Sequence, residues 1–296
     1  MTSQDRIDSF GALALTGFAA LLAFNQVVIA VVNDGLQPVF FAALRSLGGV
    51  VCLLAWMRYR AIPLSLPPGT AGPGLLMGVL FALEFICLFV ALDLTTVTRA
   101  AILFYSMPVW LAVISHLTIR GAAITRASAI GLGLAFGGVV LALALRGDAE
   151  GQGSLVGDVC ALAAALAWAG IAALAKASRL RILRPEMQLV WQLGVSVPVL
   201  AVAAFAFGPF LRDPGWIHWA GLAFQIIVIV FIGFLLWLWL LSIYPAASVA
   251  AFSFLSPVFG VVLGWLLLGE RVGPEIVVAL GLVVAGLILI NRPGRA

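Results

Sequence analysis

Two ionisable side chains, Arg45 and Glu84, stand inside long hydrophobic stretches of this 296-residue chain. A charge within a lipid-embedded helix costs at least about 2.5–3.5 kcal/mol, so it normally has a partner or faces a polar cavity. The two residues lie at similar distances from the same end of two consecutive, antiparallel stretches. We therefore predict an Arg45–Glu84 ion pair, formed directly or bridged by water or substrate. A pair that only fixes helix packing is the alternative.

Uncharged polar side chains occur at similar depth in other stretches. Polar groups in lipid-embedded helices turn towards neighbouring helices or a wet cavity. If they converge on one site, they would bind the ammonium and carboxylate of a zwitterion, and aromatic residues would hold its apolar side chain. The candidate substrate-binding residues are Asn25, Gln26, Glu84, Tyr105, Trp168, Gln192, Ser253 and Ser256. For Trp168, core packing is an equally good interpretation, since a mid-membrane indole N–H needs a partner.

Two prolines, Pro108 and Pro257, occupy equivalent positions 149 residues apart in similar segments. Each lies well inside a hydrophobic stretch, where proline removes a backbone hydrogen bond and kinks a helix. Paired kinks near the membrane midplane predict hinges that shape a cavity; ordinary packing kinks are the alternative. Asp158, by contrast, lies near the start of its stretch and is expected to cap a helix.

The stretches that carry these residues are long enough to cross a membrane. Hydrophobic residues make up 64% of the chain and charged residues 9%, far from the averages of soluble domains. A membrane-spanning helix needs about 17–25 predominantly apolar residues. Ten such stretches are present: 10–32, 37–57, 73–92, 96–116, 128–146, 154–175, 186–208, 216–241, 245–268 and 274–291. Because the connections are short, residues 1–296 are predicted to form a single all-α membrane domain.

The ten spans divide into two similar sets of five, residues 10–146 and 154–291. Five is an odd number, so the second set enters the membrane from the opposite side. Two inverted five-helix repeats around a central cavity are typical of carriers that expose one site alternately to two compartments. The repeat extends to small residues: Gly133 and Gly138 in the fifth span correspond to Gly281 and Gly286 in the tenth. Such glycines allow close helix packing, so these two spans are predicted to be scaffold.

The sixteen basic residues are distributed unequally about the membrane. Eleven fall on one side: Arg6, Arg58, Arg60, Arg120, Arg126, Lys176, Arg179, Arg181, Arg184, Arg292 and Arg295. Four fall on the other, Arg99, Arg146, Arg212 and Arg271, and Arg45 lies within a span. Since cytoplasmic loops are enriched in Lys and Arg, both termini are predicted to be cytoplasmic. The basic residues are dispersed, so nucleic acid is not an expected partner.

Motifs for several other functions are absent from the sequence. It contains no GxxxxGK[ST] phosphate loop, no HExxH and no GxSxG. The three cysteines all lie within predicted spans, where they are interpreted as small buried hydrophobic residues. We therefore predict neither ATP-driven transport by this chain alone nor an enzyme, and no metal or other cofactor is expected.

Three segments resemble the EamA branch of the drug/metabolite transporter superfamily. The first runs from Ser256 through Gly264–Trp265–Leu266–Leu267–Leu268–Gly269–Glu270–Arg271; the others are Pro38…Arg45 and Gly157–Asp158…Trp168. The similarity extends from about residue 10 to 291. The first repeat departs from the second at one point, because it has Ile119–Arg120–Gly121 where the second has Gly269–Glu270–Arg271.

This resemblance implies a basket of ten helices with the fifth and tenth spans at the periphery. It also implies a secondary transporter of the bacterial inner membrane that exports amino acids, with overall similarity to exporters of aromatic ones. The expected partners are a small-molecule substrate and the lipid bilayer, and the oligomeric state, a monomer included, stays open. If export is coupled to protons, Glu84 is the candidate carboxylate.

Two other classes of function stay open at this point. One is an efflux carrier for hydrophobic or cationic drugs or for another class of metabolite. An aromatic cavity with a usable carboxylate would favour cationic drugs, whereas exposed arginines would favour nucleotides. The other is a non-transport assembly or sensor protein, which would show no substrate-dependent flux.

Overall fold

Helices joined by short connections make up this chain in the computed structural model, which describes residues 8–118, 126–144, 154–244 and 255–290. Within those ranges the extended backbone pairing is limited to one isolated bridge, between Leu36 and Leu211. The helices are α1 Ser9–Gly35, α2 Pro38–Tyr59, α3 Ala71–Leu94, α4 Val97–Phe104, α5 Met107–Thr118, α6 Arg126–Ala144, α7 Leu155–Ala177, α8 Pro185–Ala204, α9 Trp216–Phe224, α10 Phe234–Ile243, α11 Leu255–Leu268 and α12 Pro274–Ile290. A 3₁₀ turn, Arg179–Ile182, precedes α8, and a π-helix, Gln225–Gly233, joins α9 to α10.

These helices supply the membrane spans. Seven helical segments of the described chain are long and apolar enough to cross a membrane, and three shorter apolar helices accompany them. The predicted all-α membrane fold is thus confirmed, with most ends within a few residues of the predicted ones. The seventh span ends early, at Ala204 and not at residue 208. The chain turns there through Gly208, whose φ of +87° is a conformation that glycine adopts without strain.

Side-chain caps fix where several helices begin. Asp8 caps α1 by accepting a hydrogen bond from the Gly11 N–H, and Thr96 caps α4 in the same way. At α7 the cap is Ser154, whose hydroxyl accepts from the Gly157 N–H at 3.0 Å. The expectation that Asp158 caps this helix is therefore wrong, because Ser154 already fills that position.

Two spans are discontinuous at mid-depth. The fourth breaks at Tyr105–Ser106, and Pro108 is the second residue of the following helix, α5. The Ser106 hydroxyl compensates part of the break by donating to the Leu103 carbonyl at 2.6 Å and accepting from the Trp110 indole at 3.0 Å. The eighth span widens into the π-helix, a form found frequently at functional sites. Pro257 is the third residue of α11; the residues before Leu255 lie outside the described ranges.

Most large helix contacts join the two halves of the chain. In the centre α2 packs on α8, and at the periphery α6 packs on α12. Several other contacts have an equivalent in the other half: α1 with α11 corresponds to α7 with α5, and α3 with α7 corresponds to α1 with α9. These contacts are reproduced when the halves are exchanged, and the fifth and tenth spans contact each other through α6 and α12.

The repeated glycines of α6 and α12 fall into two groups, one packed against the neighbouring helix and one facing open space. Gly138 lies directly against the backbone of Ala279 and Val283, and Gly286 lies against the backbone of Gly131 and Ala135. In contrast, Gly133, Gly137 and Gly281 have open space where a side chain would begin. Close packing of the two helices thus depends on one glycine in each.

Candidate substrate cavity

A cavity of about 600 Å³ lies between helices of both halves. It extends from the near end of the bundle, where α1 begins and the last turn of α7 carries Lys176, to mid-depth at Arg45. This volume is in the range of about 300–1,000 Å³ that small-molecule sites occupy. Its wall residues include Leu15, Phe18, Leu22, Arg45, Phe81, Phe85, Tyr105, Met107, Pro108, Leu111, Trp168, Lys176, Leu193, Ile229, Phe234, Trp237 and Ser256.

Aromatic rings form much of this wall and hold one another in place. The Trp168 indole stacks on Phe104 with ring centroids 4.9 Å apart and planes inclined by 17°. Tyr105 meets the same indole edge-on at 6.4 Å. Phe81 and Phe85, one turn apart on α3, lie 4.5 Å from each other. Such rings present a rigid apolar surface to a bound molecule.

Arg45 occupies the inner end of the cavity. Its Nε donates a hydrogen bond to Oε1 of Gln225 at 3.0 Å, and its guanidinium lies 4.2 Å above the Phe85 ring. Gln225 begins the π-helix, and its amide nitrogen donates to the side-chain oxygen of Asn25. The Nη1 atom of Arg45 is buried and has no hydrogen-bond partner among the described residues.

The direct Arg45–Glu84 ion pair is not formed among the described residues. Both side chains are buried, Arg45 being 6% and Glu84 5% exposed, and their charges interact through space. Gln225 instead accepts a hydrogen bond from Nε of Arg45, and Phe85 covers one face of the guanidinium. An interaction bridged by water or substrate stays a prediction.

The other predicted site residues divide between the cavity wall and the packing behind it. Tyr105, Trp168, Ser256 and Pro108 lie on the wall, and the hydroxyl of Ser256 donates a hydrogen bond to the Ala19 carbonyl at 3.5 Å. Asn25, Gln26, Glu84, Gln192 and Pro257 do not line it. The side-chain oxygen of Asn25 accepts a hydrogen bond from Gln225, and the Gln192 amide donates to the Met77 sulfur at 3.6 Å. Ser253 lies outside the described residues.

Sequence reasoning missed most of the apolar wall. Phe18, Phe81, Phe85 and Trp237 were not singled out, because phenylalanine and tryptophan residues occur in nine of the ten predicted spans. The four-residue spacing of Phe81 and Phe85 places both on one face of a helix, but many residue pairs share it. Lys176 gave a clearer signal, since it is a cation immediately after the predicted span 154–175 and lies in the last turn of α7.

Polar contacts close the far end of the bundle, where α1 ends and α2 begins. Arg212 binds both carboxylate oxygens of Asp93, at 2.5 and 3.0 Å, and donates to the Asn33 carbonyl at 3.1 Å. The Asn33 amide in turn donates to the Phe89 carbonyl at 2.8 Å. We call Asn33, Asp93 and Arg212 the polar closure. It ties α1 and α3 to the segment between α8 and α9.

The same segment is fixed a second time by the turn between α1 and α2. The Gln37 N–H donates to the Phe210 carbonyl at 3.0 Å, and the Gln37 amide donates to the Ala204 carbonyl at 2.6 Å. Phe40 stacks on Phe210 with ring centroids 4.8 Å apart. The cavity thus reaches the near end of the bundle, whereas packed and hydrogen-bonded residues cover the far end.

A buried ion pair lies beside this closed end. Arg99 donates to Asp158 through Nη2 at 2.6 Å and through Nε at 3.0 Å, and Thr95 donates to the same carboxylate at 2.6 Å. Arg99 also bonds to the Ala142 carbonyl. The sequence counted Arg99 among the basic residues on one side of the membrane, at the start of the span 96–116, but its side chain is buried in α4 and 3% exposed. Its charge is therefore part of the helix packing.

Glu270, the acid that only the second repeat has, caps α4. Its carboxylate accepts from the N–H groups of Val97 at 2.6 Å and Thr98 at 2.8 Å, where the positive end of a helix favours an anion. A side chain at Gly264 would collide with this carboxylate and with Thr98. Gly264 and Glu270, from the segment that resembles the transporter family, thus have a structural role where α11 meets α4.

An all-helical bundle with a central cavity that reaches one end and is closed at the other is the architecture of a multi-pass membrane transporter. The chain belongs to the EamA-like transporter family, which it matches over residues 9–144 and 155–292. It is 23% identical over 280 residues to the uncharacterized transporter YoaV of Bacillus subtilis (strain 168), an alignment that covers 94% of this chain and 95% of the relative. A solved crystal structure with 21% identity has the same fold, with a TM-score of 0.65 over 96% of each chain.

Neutralising Asp93 should shift the protein towards a state that is open at the far end. The Arg212–Asp93 pair is partly exposed, and such pairs contribute about 0–1 kcal/mol. A loss of about 1 kcal/mol changes the ratio of the conformation open at the far end to the one closed there by about fivefold, since about 1.4 kcal/mol corresponds to a factor of ten. We expect Asp93→Asn to raise, several-fold, the labelling of a cysteine at Leu22 by a membrane-impermeant thiol reagent added from the far side.

The background for this measurement has Cys52, Cys87 and Cys160 replaced by alanine. Asp34→Asn, at an exposed position of the same end, is the matched control and should leave the labelling rate unchanged. Equal rates in both variants would show that the polar closure does not hold the far end shut.

Proposed function

We propose that this protein is a secondary transporter that exports amino acids, aromatic ones among them, across the bacterial inner membrane. The observation that carries the proposal is the cavity, which is walled by aromatic rings, closed at the far end and provided with a cation at mid-depth. Its size and its mixture of apolar walls with few polar groups suit a small amphipathic solute. The similarity to known transporters supports the class of function, whereas the substrate follows from the chemistry of the wall.

Alternating access between the two halves is the mechanism that we propose. By the positive-inside rule the near end, with Lys176, is cytoplasmic, so the structure represents an inward-facing state. The contacts that are reproduced when the halves are exchanged support a second, inverted state. The break at Tyr105–Ser106 before Pro108, and by equivalence the region of Pro257, are the proposed hinges.

An efflux carrier for cationic drugs is the competing assignment, and the cavity wall disfavours it. A cationic substrate would need a carboxylate on the wall, but Glu84 lies behind it and Arg45 is on it. The charge that a substrate meets at mid-depth is positive. An exporter of compounds that carry a carboxylate fits this arrangement better.

Transport into proteoliposomes of labelled compounds tests the proposal. The panel contains tryptophan, phenylalanine, threonine, a cationic dye and a nucleotide sugar, each with and without an imposed pH gradient. We expect saturable flux of the amino acids and little of the dye. Flux of the dye or the nucleotide sugar alone would assign the protein to another substrate class, and no flux of any compound would contradict a transport function for these substrates.

The pH-gradient arm also addresses coupling. If the gradient accelerates amino-acid flux, Glu84→Gln is expected to abolish that acceleration and retain flux down a concentration gradient. An unchanged response to the gradient in Glu84→Gln would remove this residue from the coupling mechanism. Flux without any response to pH would indicate facilitated diffusion.

A further inference from the structure

The guanidinium of Arg45 is incompletely paired at the inner end of the cavity. Of its donors, Nε has a partner in Gln225, whereas Nη1 is buried without a partner among the described residues. A buried charge whose hydrogen bonds are not satisfied is costly. The group is nevertheless held at the cavity wall, which indicates that its partner arrives with a ligand.

The ligand chemistry follows from the shape of the guanidinium. Its planar, forked donors match the two oxygens of a carboxylate and form two parallel hydrogen bonds with it. Phe85 lies against one face of the plane, so the edge of the group stays available for such a pair. Glu84 does not take this place, since no ion pair joins it to Arg45 in the described structure.

Gln225 fixes the orientation of Arg45. Its Oε1 accepts from Nε of Arg45, and its amide nitrogen donates to Asn25, which determines which way round the amide stands. Gln225 is fully buried and begins the π-helix that continues along the cavity through Ile229, Val230 and Gly233. Asn25 therefore acts on a ligand only through Gln225 and Arg45.

We propose that Arg45 binds the carboxylate of the substrate and that Gln225 is its positioning residue, so that the cavity selects molecules with a carboxylate on an apolar or aromatic body. The proposal rests on the proposed transport function and adds the group by which the cavity discriminates. The aromatic wall around Trp168 accommodates the apolar body. An otherwise identical amine or amide, which lacks the carboxylate, leaves Arg45 unpaired and binds less well.

Four indole compounds separate the carboxylate from the rest of the molecule: tryptophan, indole-3-propionate, tryptophanamide and tryptamine. The readout is the rise in melting temperature of the purified protein in detergent as each compound is titrated. This readout does not require transport. We expect tryptophan and indole-3-propionate to stabilise the protein at concentrations at least tenfold lower than the two compounds without a carboxylate.

Substitutions at the two residues then test their roles. Arg45→Gln should remove the at least tenfold preference for compounds with a carboxylate, and Arg45→Lys should retain only part of it. Gln225→Leu should raise KM for tryptophan several-fold with little change in kcat. Gln225→Glu, which supplies a permanent carboxylate to Arg45, should abolish the preference. Arg58→Gln removes an exposed arginine from the last turn of the same helix and is the matched control.

The outcomes distinguish this inference from the proposed function. Equal stabilisation by tryptophan and tryptophanamide would overturn the role of Arg45 and leave amino-acid export standing. Stabilisation by indole-3-propionate but not by tryptophan would support the role of Arg45 as a carboxylate-binding residue and would overturn amino-acid export. Stabilisation by none of the four would overturn both. If Arg45→Gln does not fold, the wild-type titrations and the Gln225 variants still decide the question.

Discussion

Asp158→Asn is expected to lower the free energy of unfolding by about 3–5 kcal/mol, because it leaves the positive charge of Arg99 buried and unpaired. Asp158 is fully buried and accepts three hydrogen bonds from Arg99 and one from Thr95. No water is needed to satisfy this carboxylate. Its neutral amide analogue cannot compensate the guanidinium, so the junction between α4 and α7 should loosen first. Equilibrium unfolding of the purified protein in mixed detergent micelles measures the change.

Two further variants show whether burial is the cause. Asp93→Asn breaks the partly exposed pair with Arg212 and should cost no more than about 1 kcal/mol. The double variant Arg99→Met/Asp158→Leu removes both buried charges and should be milder than Asp158→Asn alone. If Asp158→Asn and Asp93→Asn unfolded at the same denaturant concentration, the buried pair would contribute no more than the exposed one.

The fold was accessible from the sequence because each span is defined by its own residues. Length and hydropathy locate a membrane helix without reference to its neighbours, and the ends of α2 and α12 agree with the predicted spans 37–57 and 274–291 within two residues. Discontinuities were partly accessible too, since Pro108 marks the break in the fourth span. The π-helix was not, because no residue between Gln225 and Gly233 requires one.

The site was less accessible because the identity of a polar residue does not say which neighbour satisfies it. Asn25 and Gln192 have the polarity and depth of binding residues, but other side chains engage their amides. Arg45 and Glu84 were predicted to pair because they share a depth, but Arg45 hydrogen-bonds to Gln225, which is 180 residues away along the chain. Depth along a helix can be read from the sequence, whereas rotation towards the cavity depends on packing against the other half.

Gly138→Val and Gly137→Val should differ sharply although the two glycines are adjacent. A Cβ at residue 138 would lie 2.7 Å from the Ala279 carbonyl and 3.0 Å from the Val283 nitrogen, which are backbone atoms that cannot move independently of α12. At residue 137 a Cβ has nothing within 4 Å. Overpacking typically costs about 1–3 kcal/mol, and separating two helix backbones should place Gly138→Val at or above that range. Gly137→Val should stay within about 0.5 kcal/mol of the wild type.

Loss of the main elution peak in size-exclusion chromatography after heating detergent-solubilised samples measures this difference. The other half supplies the same comparison, because Gly286 is packed like Gly138 whereas Gly281 is open like Gly133. We therefore expect Gly286→Val to be as damaging as Gly138→Val, and Gly281→Val and Gly133→Val to be as mild as Gly137→Val. Similar melting in all five variants would mean that close contact of α6 and α12 does not stabilise the bundle. A different contrary outcome is a difference in stability between the variants of the α6 glycines but not between those of the α12 glycines. The two halves would then not use equivalent positions in the same way, and the proposed inverted second state would lose this support.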